Sequence, residues 1–479
     1  MEIKPTSITS GAKDSFIVFR NSQGNEARGT LLRLTRFATV FEVYNPYSIV
    51  QLSEVLSDFQ IFMTDRLVYS GRAVVSSLVN TGIMLICEAT LDESWLDVDI
   101  FSPVNQREKL RSEFAQFMQE WEKTHAVLPD FKVVVADMQT LLADLRRWLE
   151  QVELGIRSTP TGDRQQLEGE VLEELRQPII PAINDLFGRF EVIANGVEAA
   201  LQPAHRTYIK RQLHPLVLCA PFPYRTFHKP LGYAGDYEMV NMILGNPLEG
   251  SSLFAKMVNF WFLLQAPAEA HRNRIKYLSR KLDEEVQRMA QRGQPARILN
   301  LGCGPAGEVQ DFLKRSPLCE QAHFTLLDFN DETLEHTARV LGDLKTAHHR
   351  ATPITFEKKS VHQILKEAGR AVGSAGPRQY DFVYCAGLFD YLSDRICKRL
   401  MDVFYDLLAP GGLLVATNVD AANPIRNGME YILDWHLVYR NAAQLQALAP
   451  EAAPPGSFEV RSERTGVNVF VEVRKPDAA

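Results

Sequence analysis

Arg297-Ile-Leu-Asn-Leu-Gly-Cys-Gly-Pro-Ala-Gly307 is the stretch whose reading decides the fold. A short apolar strand runs into Gly302, Gly304 and Gly307, and a helix is expected from near Glu308. Glycines there let the backbone turn sharply and approach a ligand with no Cβ in the way. The spacing fits GxGxxG, a nucleotide-binding pattern that carries little weight alone. A second element stands in FTLLDF (324–329): Asp328, about 20 residues further on, where an acid accepts hydrogen bonds from ribose hydroxyls. A surface acid at a strand end is the plainer alternative. Pro305 removes one backbone N–H, which weakens a pyrophosphate cradle but matters little to a ligand without phosphate. Further strand-like runs, YDFVYCAG (380–387) and GLLVATNV (412–419), alternate with helical stretches. That rhythm predicts a parallel sheet covered on both faces.

Outward from this core, the chain has 479 residues, enough for several domains of about 100–200 residues each. With 46% apolar and 23% charged residues it is of ordinary globular composition. The net charge of −7 argues against a protein that coats nucleic acid, which needs cations to neutralise phosphates. The six cysteines, Cys87, Cys219, Cys303, Cys319, Cys385 and Cys397, form no CxxC pair or zinc-spaced cluster. They read as free, buried thiols in a reducing compartment, and no metal site is expected. The N-terminal MEIKPTSITSGAKDSF has no apolar stretch of signal-peptide length, and no apolar run is long enough to span a bilayer. A cytoplasmic protein without a transmembrane segment is the expectation.

Residues 1–103 predict a small antiparallel barrel. SFIVF (15–19), LLRL (31–34), VFEVY (40–44), RLVYSGRAVV (66–75) and IMLICEATL (83–91) are rich in β-branched and aromatic residues and are separated by turn signals. Residues 104–215 read as helical, with WEKTH and FKVVVADMQTLLADLRRWLEQVE (131–153) carrying apolar residues at three- and four-residue spacing. Val134, Met138, Leu141, Leu142, Leu145 and Leu149 make one stripe, suited to bundle packing or to a homodimer contact. Pro178 and Pro181 predict a kink or break in the following helix. Residues 216–289 form a segment before the core domain, which occupies residues 290–479.

The ordered set LNLGCGPAGE, LLDFN, YDFVYCAGLFDYL and LLAPGGLLVATN resembles class I S-adenosylmethionine-dependent methyltransferases, over roughly residues 290–474. The resemblance implies a Rossmann-like α/β domain with a seven-stranded sheet and S-adenosylmethionine as cofactor. Gly302, Cys303 and Gly304 would line its methionine part, Asp328 would hold the ribose, and Phe329 would lie beside the adenine. Ser360 and Val361 stand where the family often has an acid and an apolar residue at the adenine. Cys385, Ala386 and Gly387 would close the fourth strand under the sulfonium. TGVNVFVEVRK (465–475) would be the last strand, antiparallel in this family. The first 103 residues resemble a PilZ-like barrel, a fold often used to bind cyclic di-nucleotides. LTRFAT (34–39), however, has Leu34 in place of the family's acid, and no RxxxR precedes it. A barrel without nucleotide is the preferred reading, with Arg33, Arg36 and Arg72 as the cations to test.

The acceptor must be read from other residues. CAGLFDYL replaces the [DN]PPY of amino-DNA methyltransferases, which disfavours DNA. Phe222–Asn241 crowds aromatics with His228, Lys229, Asp236 and Tyr237 around Gly and Pro, so it cannot be one regular helix. It could fold as a lid that excludes water, with Tyr233 on the acceptor, or serve as an interdomain connector. His228 would be the base if the acceptor were a hydroxyl. Trp435-His-Leu-Val-Tyr-Arg440 offers Trp435, Tyr439 and a bidentate Arg440 for a carboxylate, or a plain helix face. HKPLGYAGDYEMVNMI (228–243) with LNLGCGPAGE resembles bacterial methyltransferases that make 3-hydroxy fatty acid methyl esters for quorum sensing. That implies an O-methyltransferase acting on a small carboxylic acid. The alternatives are a regulatory protein that binds cofactor without turnover and a protein methyltransferase.

Overall fold

The structure is a computed structural model, describing residues 15–35, 37–44, 50–63, 66–80, 84–92, 111, 114–115, 118, 127–160, 163–370 and 380–477. The chain divides into two compact units. One comprises residues 1–234, 247–262 and 425–436; the other comprises 235–246, 263–424 and 437–479.

The first unit contains a closed antiparallel barrel of β1 (Phe16–Arg20), β2 (Glu26–Leu34), β3 (Ala38–Tyr44), β4 (Val55–Met63), β5 (Arg66–Asn80) and β6 (Met84–Leu91), in the order β1-β2-β3-β6-β5-β4. Closure pairs every strand on both sides and leaves no open edge. Alternate residues point inward, so Phe19, Phe41, Phe59 and Ile61 are fully buried, with the Phe19 and Phe41 rings 5.5 Å apart. The sequence reading did not pick out β4. Its pairing to β5 shifts register between Leu56 and Phe59, and Asp58 takes φ 48°. A bulge at Ser57-Asp58 places two exposed polar residues in succession and interrupts the alternation that marks a strand.

Helices complete this unit. Pro129–Arg157 buries Val134, Met138, Leu142 and Leu149 along the predicted stripe. Arg164–Asn195 runs as one helix with Pro178 and Pro181 inside it, so neither proline ends it. WEKTH lies outside the described residues, as does Arg36. Cys219 is exposed, against the expectation that all six thiols are buried.

The second unit is built on a seven-stranded sheet of β7 (Ala296–Leu301), β8 (Ala322–Asp328), β9 (Ile354–Lys358), β10 (Tyr380–Cys385), β11 (Leu408–Val419), β12 (Phe458–Ser462) and β13 (Asn468–Arg474). The order is β12-β13-β11-β10-β7-β8-β9. β7, β8, β9, β10 and β11 run parallel, and β13 lies antiparallel to β11, as the last strand was expected to do. Successive residues of the central strands serve opposite faces: Leu299 and Val383 join one apolar layer, Ile298 and Phe382 the other. Both layers are covered by helices, so these strands read as continuous apolar runs. The strand order reverses between β7 and β10, and a crevice opens beyond the carboxyl ends of strands at such a switch point.

Candidate functional site

The loop leaving β7 is held open by its own backbone. Gly302 and Gly304 take φ 70° and 51°, conformations that side chains rarely adopt. A Cβ on Gly304 would meet nothing within 4 Å, and one on Gly302 only Leu388, at 3.8 Å. The N–H groups of Gly302 and Cys303 both donate to the Leu327 carbonyl, at 2.8 and 3.0 Å, which ties the loop to the end of β8. Gly307 has another use. A Cβ there would lie 3.0 Å from Leu244 and 3.5 Å from Ile275, so this glycine permits close helix packing.

Asp328 ends β8 beside that loop and is 5% exposed. Its Oδ2 accepts the Gly304 N–H at 3.2 Å and its Oδ1 the Asn330 N–H at 3.1 Å. The Phe329 N–H also bonds the carboxylate, and its roughly four lone-pair sites outnumber these three donors, which leaves room for a ribose hydroxyl. Burial pushes the carboxyl up to about 6, opposed by these backbone donors. The acid is therefore ionised at neutral pH. Phe329 follows it, half-buried. The Asp328 carbonyl accepts the Lys359 N–H at 2.9 Å. This anchors the turn in which Ser360 caps the next helix, its Oγ accepting the Gln363 N–H, with Val361 buried. Cys385 is buried at the end of β10, level with Leu301, and Ala386 and Gly387 continue from it, half-buried. Burial pushes the Cys303 and Cys385 thiols well up, so both are neutral. The predicted cofactor residues thus lie at the carboxyl ends of β7, β8, β9 and β10. An open glycine turn and an ionised acid beside it fit an adenosyl ligand without phosphate.

The residues proposed for the acceptor are distributed differently. His228, Tyr233 and Trp435 belong to the first unit; Asp236, Tyr237, Tyr439 and Arg440 belong to the second. His228 ends the helix Pro221–His228, 4.2 Å from the Tyr224 ring, and burial with the nearby Arg72 charge lowers its pKa. It is a neutral imidazole at pH 7. Tyr233 and Trp435 are half-buried. As foreseen, Phe222–Asn241 is not one helix: it is interrupted between His228 and Tyr237. Asp236 is 2% exposed and caps the helix Tyr237–Leu244, its Oδ1 accepting the Met239 N–H at 2.8 Å. The Tyr237 hydroxyl donates to Glu332 at 2.8 Å. Tyr439 is half-buried.

Arg440 is 1% exposed and its fork is already filled. Nε donates to Asp394 at 2.8 Å, Nη1 to the Phe389 carbonyl at 2.8 Å and to Asn418 at 2.6 Å, and Nη2 to the Leu392 carbonyl at 2.5 Å. Four engaged donors make it a brace for the loop after β10, not an open fork for an acid.

The sequence reading did not single out a buried polar group beside the same loop. Glu308 is 4% exposed; its Oε1 accepts the Tyr384 hydroxyl at 2.7 Å and the Asn300 amide at 3.2 Å, and burial raises its pKa. Arg274 and His271 lie on the helix Ala266–Gln291, both buried. The readable signal was their place on the stripe that continues through Leu278 and Leu282.

Residues 273–452 match a family model described as a methyltransferase domain. No curated protein matches the chain. Among solved structures, a "possible exported protein" from Bordetella parapertussis is similar at 17% identity and TM-score 0.41, covering 67% of this chain and 99% of that one. Magnesium protoporphyrin IX methyltransferase from Synechocystis PCC 6803, with S-adenosylhomocysteine bound, is similar at 11% identity and TM-score 0.30, covering 44% and 88%. The N-methyltransferase NodS from Bradyrhizobium japonicum WM9, in complex with S-adenosylhomocysteine, is similar at 16% identity and TM-score 0.29, covering 50% and 98%. Residues 273–452, most of them in the second unit, thus match a methyltransferase domain.

Proposed function

We propose that this chain is an O-methyltransferase for a small carboxylic acid, with a long-chain 3-hydroxy acid as the acceptor. The observation that carries the cofactor half is the open turn at Gly302 and Gly304 beside the ionised Asp328. The acceptor half is supported by HKPLGYAGDYEMVNMI (228–243) and its resemblance to the methyl ester-forming group.

In this reading Gly302, Cys303 and Gly304 receive the methionine part, Asp328 orients the ribose, and Phe329, Ser360 and Val361 border the adenine. Cys385, Ala386 and Gly387 floor the site below the sulfonium. The bound cofactor supplies a methyl group on a positively charged sulfur. A carboxylate acceptor is already ionised at pH 7, so no strong base is needed. The neutral His228 is available only if a hydroxyl is the acceptor. The protein's contribution is alignment and exclusion of water, and alignment alone gives effective molarities of about 10⁵–10⁸ M. Within the second unit, Asp236 and Tyr237 serve this through the segment 235–241, and Tyr439 contacts the acceptor. The helical stripe is spent on packing within its own unit, which leaves the homodimer reading without support from it, and the barrel is read as carrying no cyclic di-nucleotide.

The test is incubation of the full chain with methyl-labelled S-adenosylmethionine and 3-hydroxy acids of graded chain length. Label is expected in an ester that mild alkali releases as methanol. Label in a protein band instead would favour protein methylation. Cofactor binding without transfer to any acceptor would favour the regulatory reading.

A further inference from the structure

Arg274 is 8% exposed, on the helix Ala266–Gln291. Its guanidinium lies against Gly387, just past the end of β10: a Cβ on Gly387 would fall 2.9 Å from Nη1 and 3.2 Å from Nη2. Gly387, with φ 89°, is thus shaped around this cation. The position is the carboxyl end of the strands at the switch point, where Cys385 lies level with Leu301.

The cation is poorly compensated there. Its one hydrogen-bond partner among the described residues is His271, 3.0 Å from Nη2, and burial together with the Arg274 charge keeps that imidazole neutral. Nε is buried and has no partner. No carboxylate lies within 4 Å of the guanidinium among the described residues. Asp390 and Glu308 are the nearest acids electrostatically, and each is committed elsewhere. Asp390 accepts the Val419 N–H at 2.7 Å, and Glu308 accepts from Tyr384 and Asn300. Burial raises both acids, Asp390 to about 6, and each acts on Arg274 through space without an ion-pair contact to it. A guanidinium that cannot lose its proton, buried with no carboxylate in contact, is further stabilised when one arrives.

We propose that Arg274 binds a carboxylate of the ligand in this site, its free donors completing the ion pair that the fold leaves open. Two sources offer that chemistry: the methionine end of the cofactor and the acid acceptor. The inference rests on the adenosyl reading of the Gly302–Asp328 site.

Titration calorimetry on the full chain separates these. Three probes are compared on the wild type: S-adenosylhomocysteine, its carboxamide, and 5′-methylthioadenosine, which lacks the amino-acid end. If Arg274 holds the cofactor, the carboxamide binds about 10–100-fold more weakly than the parent acid. Arg274→Met then erases that difference while leaving methylthioadenosine unchanged, which also shows that the variant is folded. If Arg274 holds the acceptor, the parent and carboxamide bind alike. Wild type then binds a 3-hydroxy acid in preference to its amide, and Arg274→Lys weakens the acid without altering methylthioadenosine. Equal affinity within both acid–amide pairs on the wild type overturns the proposal whether or not the variants fold. Absence of heat with all three adenosyl probes overturns it by a different route, by removing the site on which it rests.

Discussion

The barrel and the seven-stranded sheet solve the same problem in opposite ways. In the barrel, closure pairs every strand, the inward residues are spent on Phe19, Phe41 and Phe59, and no strand end opens onto a cleft built by a change of strand order. Its testable cations are already placed. Arg33 pairs with Glu88 at 3.4 Å; Arg72 pairs with Asp92 at 3.5 Å and donates to the Phe227 carbonyl at 2.7 Å. In the sheet, the interior is equally apolar, but the order reverses between β7 and β10, and glycines rather than side chains finish the strands. Apolar interior makes both stable; in the second, Asp328 and Arg274 lie beside strand ends where a ligand is proposed to bind. A site follows from how a sheet ends, not from how well it packs.

The largest effect that should separate the two is in stability. Phe41→Ala, a fully buried ring between Phe19 and Phe59, should cost about 3–5 kcal/mol in chemical denaturation followed by a barrel signal. Affinity for S-adenosylhomocysteine, measured where the variant is folded, should stay at the wild-type value; a loss of affinity would break the division of labour.

Next in size is Asp328→Ala, which should weaken S-adenosylhomocysteine by about 1.5–3 kcal/mol in calorimetry as the ribose loses a charged acceptor. Unchanged affinity would take Asp328 out of the site.

The pH dependence of binding should show the same residue. The Asp328 carboxyl is raised, to about 6, so it is ionised above that value and protonated below it. Affinity should be flat above pH 6 and should fall as pH drops through 6, by up to about 1.4 kcal/mol per unit for one proton. Asp328→Asn should abolish the slope. A slope that survives would assign the titration to Asp390, whose carboxyl is also pushed up to about 6, or to Glu308.

The smallest effect belongs to the barrel surface. Arg33→Ala breaks a half-exposed pair and should change stability by about 0–1 kcal/mol. A cyclic di-nucleotide should give no heat with the wild type; saturable heat lost in Arg33→Ala or Arg72→Ala would give the barrel a site of its own.

How much of this was legible varied with how local each cause was. The glycine turn and Asp328 were readable because a strand, a tight turn and the next strand are fixed by short-range spacing. Five of the barrel strands were readable as β-branched and aromatic runs between turn signals, and β4 was not, because the Ser57-Asp58 bulge is defined only by its partner strands. Pro178 and Pro181 were read by their local cost, yet Arg164–Asn195 runs through both, with Ile183, Phe187 and Phe190 buried beyond them. Tertiary burial outweighed the lost hydrogen bonds.

The two arginines mark the boundary most sharply. Sequence favoured Arg440 because it stands beside Tyr439 and Trp435, yet Asp394, Asn418 and two carbonyls brought from distant positions fill its fork. Arg274 attracted no notice within a charged helix, yet packing buries it against Gly387 with donors to spare. The sequence alone determined the parallel sheet, its glycine turn and the acid beside it, since each depends on residue type at short spacing. Only the tertiary structure decided which cation is saturated and which is not, because hydrogen-bond satisfaction depends on partners far away in the chain.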